Sequence, residues 1–236
     1  MLEAEQIIEA DLTYVGDRFM PGVQVVVGGD GCIAEAGVLR RPPTQRLRGR
    51  ALLPGFVSAH SHAFQRALRG LGETYGAGAG DFWTWRDTRC ALVERLTPAE
   101  LTRVCRQTFD EMLAAGVTTV GEFHYLHHAD ADACDFALDE VVLKAAAGAG
   151  IRLVLLVAYY RRGGAGSGAA ALGARGGTIE SGRPADMIAI DLDHISLAGW
   201  TPETLPECLV FSSGAAAVRE VCVGGVWHGP QRAATS

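Results

Sequence analysis

His60 and His62 stand two residues apart at the end of the apolar stretch "LLPGFVSA". In an extended strand residues i and i+2 share a face, so both imidazoles can be presented to one divalent ion without backbone distortion. Imidazole nitrogen suits Zn2+ and related ions. The pair also follows an apolar strand, and the carboxyl ends of strands are where βα folds gather their catalytic groups. The plain alternative is two polar residues ending a strand, and H-x-H by itself does not separate the two readings.

Two further groups carry possible chemistry. "GEFHYLHH" (Gly121–His128) holds His124, Tyr125, His127 and His128, which either line the same strand ends or, for His127 and His128, sit in a polar surface loop. "DFWTWRDTRC" interleaves Trp83 and Trp85 with Arg86 and Arg89. Arginine among aromatic rings makes a carboxylate clamp, because its planar fork bonds both oxygens while the rings exclude water. Against that stands simple core packing by the tryptophans beside a surface arginine. Asp186, Asp191 and Asp193 read as turn and strand-edge residues, and His194 and His228 are assigned no ligand role.

The elements that must position these residues fall into three stretches. In the first, "VQVVV", "GGDG" and "CIAEA" read as a hairpin, the glycines supplying φ > 0, and "RRPPTQRLRGR" (Arg40–Arg50) reads as a connector. In the second, "ALLPGFVSA" is a strand interrupted at Pro54-Gly55, followed by the helix "LTPAELTRVCRQTFDEMLAAG". There Thr97 and Glu100 form a capping box around Pro98, and Leu101, Val104, Cys105, Phe109, Met112 and Leu113 make one apolar face. "VTTVGEF" is the next strand, "CDFALDEVVLKAAAGAG" a helix closed by glycines, and "IRLVLLVAYY" a strand of the kind buried on both faces. This rhythm implies parallel strands joined by right-handed crossovers. In the third, "RRGGAGSGAAALGARGGT" is a glycine-rich joint, after which "GTIESGRPADMIAIDLD" and "VREVCVGGVWHGP" return to strand alternation with a turn at Gly224-Gly225.

Bulk properties narrow the function classes. The 236 residues are 48% hydrophobic and 20% charged, an ordinary soluble composition. A net charge of −6 argues against general binding to nucleic acid or anionic membranes. No apolar run reaches the roughly 18 residues of a membrane helix, and the acidic start "MLEAEQIIEADLTY" gives no signal-peptide pattern. Cys32, Cys90, Cys105, Cys134, Cys208 and Cys222 are scattered with no C-x-x-C pair, so free thiols in a reducing cytoplasm are expected.

"LLPGFVSAHSH" together with "GTIESGRPADMIAID" resembles the metal-dependent amidohydrolase superfamily. The longer run containing "HSHAFQRALRGLGE", "DFWTWRD" and "VTTVGEFHYLHH" resembles its formimidoylglutamate deiminase family. The resemblance implies an α/β fold, a (β/α)8 barrel with a small β-sandwich built from both chain ends. It implies one Zn2+ at the barrel mouth and hydrolysis of N-formimino-L-glutamate to N-formyl-L-glutamate and ammonia, a step of histidine degradation. Zinc would act by lowering the pKa of its water to about 7. On this resemblance His60 and His62 match the first-strand metal ligands, and Gln65, Arg86 and Tyr125 match positions that contact substrate.

The chain departs from that pattern in its middle. A full barrel needs about 250 residues, whereas only three barrel strands can be found before the glycine-rich joint. The expected organisation is residues 1–50 and 177–236 as the two parts of the sandwich, 51–162 as a partial barrel of about three βα units, and 163–176 as the joint. Catalytic zinc normally takes three protein ligands and water. His60 and His62 therefore leave the site incomplete, the general base is unassigned, and the chain's own turnover is in question. The expectation is a truncated or internally deleted deiminase with a small-molecule substrate, without nucleic-acid or membrane partners. A homodimer would bring a second copy of the same strands. The alternatives are another deaminase of the superfamily acting on a purine or triazine ring, and a catalytically dead remnant with a binding role.

Overall fold

β-Branched and apolar residues in short runs build the strands, and the elements below belong to a computed structural model describing residues 5–71, 82–129, 135–158, 178–213 and 215–229. Cys134, the joint at 163–176 and the Trp83 side chain lie outside the described residues. In chain order the first strands are β1 (Gln6–Val15), β2 (Arg18–Met20), β3 (Gln24–Val27), β4 (Ile33–Gly37), β5 (Gln45–Pro54) and β6 (Phe56–Ser61). A 3-10 turn (Ala63–Leu68), α1 (Phe82–Val93), α2 (Pro98–Ala114), β7 (Val117–His124), α3 (Ala137–Ala149) and β8 (Arg152–Val157) follow. The chain ends with β9 (Met187–Asp191), α4 (Leu205–Phe211), β10 (Val218–Val223) and β11 (Val226–His228).

One unit comprises Met1–Ser58, Met112–Thr119 and Gly173–Ser236. Its eight strands form a sheet in the order β11-β10-β9-β5-β1-β3-β4, with β2 paired to β1, so the strands of the two chain ends join side by side at β9 and β5. The sheet folds over on itself. Ile33 donates to the Arg183 carbonyl at 2.8 Å, Gly182 to that of Ile33 at 2.8 Å, and Ala185 to that of Gly31 at 3.0 Å. Between its layers lie Ile8, Val25, Val27, Ile33, Leu52, Met187 and Cys222, all buried. This is the small sandwich expected of the two termini, with β9 buried along its whole length because β5 and β10 flank it.

Two local expectations are corrected here. Arg40–Arg50 is a connector only in its first half. From Gln45 the chain is strand, pairing parallel with β1 at Ile8–Gln45, Glu9–Arg46 and Ala10–Leu47. The free edge of β1 needs partners for its amides, and alternation puts Leu47 into the core while Arg46 pairs outside with Glu9. The "IRLVLLVAYY" strand is not buried on both faces. Arg152 and Val157 are exposed and the residues between them only half-buried, because β8 is the outer strand of the order β6-β7-β8.

The other unit comprises Ala59–Glu111 and Val120–Leu172. The three-stranded sheet is parallel. Phe56, at the start of β6, donates to Gly116, just before β7, at 2.9 Å, and Ala158, just after β8, donates to His124, at the end of β7, at 2.8 Å. Starts thus meet starts and ends meet ends. The helix α2 opens on the expected capping box, with Thr97 N–H to Glu100 Oε2 at 3.0 Å and Glu100 N–H to Thr97 Oγ1 at 3.2 Å. Leu101, Val104, Cys105 and Phe109 are buried on one face of it. The helix α3 ends at Gly150, whose φ of 85° is the left-handed cap that glycine adopts without strain.

Candidate active site

At the tip of β6 the two imidazoles converge, with the Nε2 atoms of His60 and His62 3.1 Å apart. His62 Nδ1 lies 2.8 Å from the Phe123 carbonyl, which can only accept, so the ring donates there and its Nε2 carries the lone pair. A carbonyl behind the ring is the usual way a ligating histidine is held in tautomer and orientation. Burial pushes the His62 pKa down, reinforced by the charges of His60 and Arg89 and opposed by the Phe123 carbonyl. Two imidazole nitrogens converging in this way are a donor set that fits a divalent transition ion. Among the described residues no third histidine, cysteine or carboxylate joins them.

The turn after His62 is clamped from below. Ala63 donates its N–H to Glu122 Oε1 at 2.7 Å, and Thr108 of α2 donates to the Ala63 carbonyl at 3.0 Å. Glu122 is a buried side chain of β7, and burial pushes its carboxyl up to about 7 against the hydrogen bonds from Ala63 and Ser61. The clamp starts the 3-10 turn that carries Phe64 inward and Gln65 toward the next strand. Gln65 Nε2 donates to the Tyr125 hydroxyl at 2.9 Å, and the Tyr125 ring lies 5.4 Å from that of His62 and 5.3 Å from that of Phe64.

From Phe82 onward the segment "FWTWRDTRC" is helical. Trp85 and Arg89 are therefore one turn apart, and the Arg89 guanidinium lies over the Trp85 ring at 5.3 Å and the Tyr125 ring at 5.8 Å. Arg86 is half-buried on the same helix, three residues before Arg89. The structure thus brings together His60, His62, Gln65 and Tyr125, and adds Arg89, which sequence reading noted beside Arg86 without giving it a role. Its signal was the i, i+4 spacing from Trp85, readable only once the segment is known to be helical. His124 does not line the same face. Phe123 packs against His60 and His62, so the next residue of β7 points to the opposite side.

A sequence profile described as the amidohydrolase family matches residues 51–163, the stretch that carries this site. Residues 51–163 belong to the amidohydrolase family. The formimidoylglutamate deiminase of Pseudomonas aeruginosa is 38% identical over 172 residues, covering 71% of this chain and 38% of that protein. The imidazolonepropionase of Nocardia farcinica is 40% identical over 106 residues, covering 40% of this chain and 26% of that protein. The chain therefore spans well under half the length of these curated relatives. A crystal structure of an amidohydrolase from Brucella melitensis superposes with a TM-score of 0.57 at 34% identity, over 64% of this chain and 34% of that one. A zinc-bound adenosine deaminase from Xanthomonas campestris gives a TM-score of 0.63 at 15% identity over 96% of this chain and 93% of that one, a likeness of fold alone. Among the described residues no helix is long and apolar enough to cross a membrane.

Proposed function

We propose that this chain carries the metal-binding strand and the substrate-orienting residues of a formimidoylglutamate deiminase, a zinc-dependent hydrolase of C–N bonds in histidine degradation. The observation that carries this reading is the Gln65–Tyr125 hydrogen bond standing beside the converged His60 and His62 rings. His60 and His62 would hold the ion through Nε2. When bound, such an ion supplies Lewis acidity toward water and the amidine. The Gln65 amide and Tyr125 hydroxyl fix each other and orient a small polar substrate, and Arg86 would pair with its carboxylate through a bidentate contact. Arg89, stacked on Trp85 and Tyr125, adds positive charge on the same side. With two ligands and no general base among the described residues, binding is expected to outrun turnover. The organisation proposed is a partial barrel over 51–162 between the sandwich parts 1–50 and 177–236, with β5 carrying the first sandwich part on to Pro54.

A second reading, a superfamily remnant with a binding role only, is favoured by the lack of a third ligand beside His60 and His62 among the described residues. A third, deamination of a purine or triazine ring, gives no use to Arg86. The test is calorimetric titration of the zinc-loaded protein with N-formimino-L-glutamate and with guanine, alongside an ammonia assay. Binding of the former, weakened at least tenfold by Arg86→Gln, is expected. Equal binding of guanine, or indifference to Arg86→Gln, would overturn the proposal. Ammonia release at an enzyme's rate would overturn the incomplete site instead.

A further inference from the structure

On the face of β7 turned away from His60 and His62, a second cluster of metal-ligating side chains comes together. His124 Nε2, His127 Nδ1 and a carboxylate oxygen of Asp139 all lie within 4.8 Å of one another. Asp139 Oδ1 is 3.2 Å from His124 Nε2 and 2.8 Å from His127 Nδ1. Asp139 stands in the first turn of α3, where the helix dipole favours its negative charge.

Two observations call for a proton or a metal cation among these atoms. The other ring nitrogen of His127, Nε2, lies 2.9 Å from the Ala158 carbonyl. A carbonyl only accepts, so Nε2 carries the hydrogen. In the neutral ring Nδ1 then holds a lone pair, facing a carboxylate oxygen that also only accepts. Two acceptors do not sit 2.8 Å apart without positive charge between them. His124 repeats the pattern independently. Its side chain is 1% exposed, and its Nε2 has no hydrogen-bond partner among the described residues although it points at the same carboxylate. A buried ring nitrogen left in this way needs an explanation. A proton on His127 answers the first observation but not the second. One ion shared by the three groups answers both.

We propose that His124, His127 and Asp139 form a second metal site for a Zn2+-type ion, fastening the end of β7 to the first turn of α3. Two imidazoles and one carboxylate are the ligands of Zn2+ and its transition-metal neighbours, whereas Mg2+ and Ca2+ take oxygen alone. The Ala158 carbonyl supplies the outer contact that holds a ligating histidine in its tautomer. The three side chains are almost wholly enclosed, His124 1%, His127 6% and Asp139 13% exposed, which suits a structural ion rather than one that meets substrate. The inference does not depend on the deiminase reading, since none of the three residues takes part in it.

The test uses the full chain with both His60→Ala and His62→Ala, titrated with Zn2+ alone and with Co2+ alone. One equivalent is expected to bind. Co2+ should give the visible absorption of a nitrogen- and oxygen-ligated ion, and the thermal midpoint should rise with metal. Adding Asp139→Asn, which keeps the shape of the side chain, should weaken binding at least a hundredfold while leaving the far-ultraviolet circular dichroism unchanged. If the doubly substituted chain does not fold, metal analysis of the otherwise unaltered protein serves. Asp139→Asn should then lower the bound zinc by one equivalent. Absence of binding in the His60/His62 variant, or an affinity indifferent to Asp139→Asn, would overturn the proposal and leave a proton-bridged cluster. Formimino-glutamate binding would be lost with His60 and His62 and kept with Asp139→Asn, so the two sites fail separately.

Discussion

His62 shows how much of a ligand's quality comes from atoms that never touch the ion. Its ring is turned by the Phe123 carbonyl, and its backbone is set by the turn that Glu122 holds through Ala63. His60 stands at the exposed end of the same strand and contributes mainly its lone pair. Removing either should therefore be tolerated by the fold and felt by the metal. In a background of Asp139→Asn, which isolates this site, His62→Ala is expected to weaken Zn2+ at least tenfold in equilibrium dialysis. An unchanged affinity would mean that the convergence of the two rings has no ligand role. Strand periodicity and resemblance both marked the H-x-H pair, whereas resemblance alone singled out Gln65 and Tyr125 as substrate contacts. Neither marked Glu122 or Asp139, since a carboxylate's worth depends on what encloses it, and nothing in "VGEFH" or "FALDE" announces burial.

At the scale of elements, single contacts decide whether strands meet. Gly55 separates β5 from β6, and a Cβ built there would overlap the Thr118 side chain at Cγ2 and Oγ1. Gly55→Ala should cost about 2–3 kcal/mol in urea unfolding by overpacking; a loss under ~0.5 kcal/mol would show that β7 gives way freely. The end of β9 is tied by Asp191, whose Oδ2 accepts from Arg219 Nε at 2.8 Å and pairs with Nη2 at 2.6 Å. Burial pushes this carboxyl up. The hydrogen bonds from Arg219 and the Asp193 backbone, with the charges of Arg219 and Arg50, outweigh it and hold the pKa below its ordinary 3.8. A lowered carboxylate pKa stabilises the fold above the unfolded value, and that gain is lost as pH falls through the folded one. Asp191→Asn should thus cost about 1–2 kcal/mol at pH 6, moderated by the exposure of Arg219. The gap from the parent should close as pH drops below 3.8. A gap that stays constant down to pH 2 would sink the assignment. The strand order of the folded-over sheet was not legible in the sequence. Alternation reports which residues face a core, but not which strands are neighbours, and β5 lay hidden in a basic, proline-containing run.

For the molecule as a whole, the open question is what a partial barrel does with its outer strand. Among the described residues β8 has β7 on one side and no strand on the other, and Val157 at its end is 60% exposed. Unpaired strand amides beside apolar side chains are templates for association. Val157→Lys should raise the concentration at which the protein stays monodisperse by light scattering, with little change in thermal midpoint. Aggregation indifferent to that change would place the adhesive surface elsewhere. The same incompleteness bears on function, since the chain spans 38% of the Pseudomonas deiminase. Strand tip, turn and Tyr125 are assembled, but two imidazoles hold an ion less firmly than three protein ligands.

The sequence by itself determined the βα rhythm of the middle, the capped helix at Thr97, the strand character of the two chain ends and the histidine pair. Each of these is written in local spacing: a period of two or 3.6, a cap three residues from its partner, glycine where φ is positive. Tertiary structure alone decided that Arg89 stacks over Tyr125, that Glu122 clamps the turn behind the ligands, and that His124 and His127 face Asp139 rather than His60. Those arrangements join residues from different elements. Their energies come from burial and from donors and acceptors brought face to face, which exist only once the strands have been laid side by side.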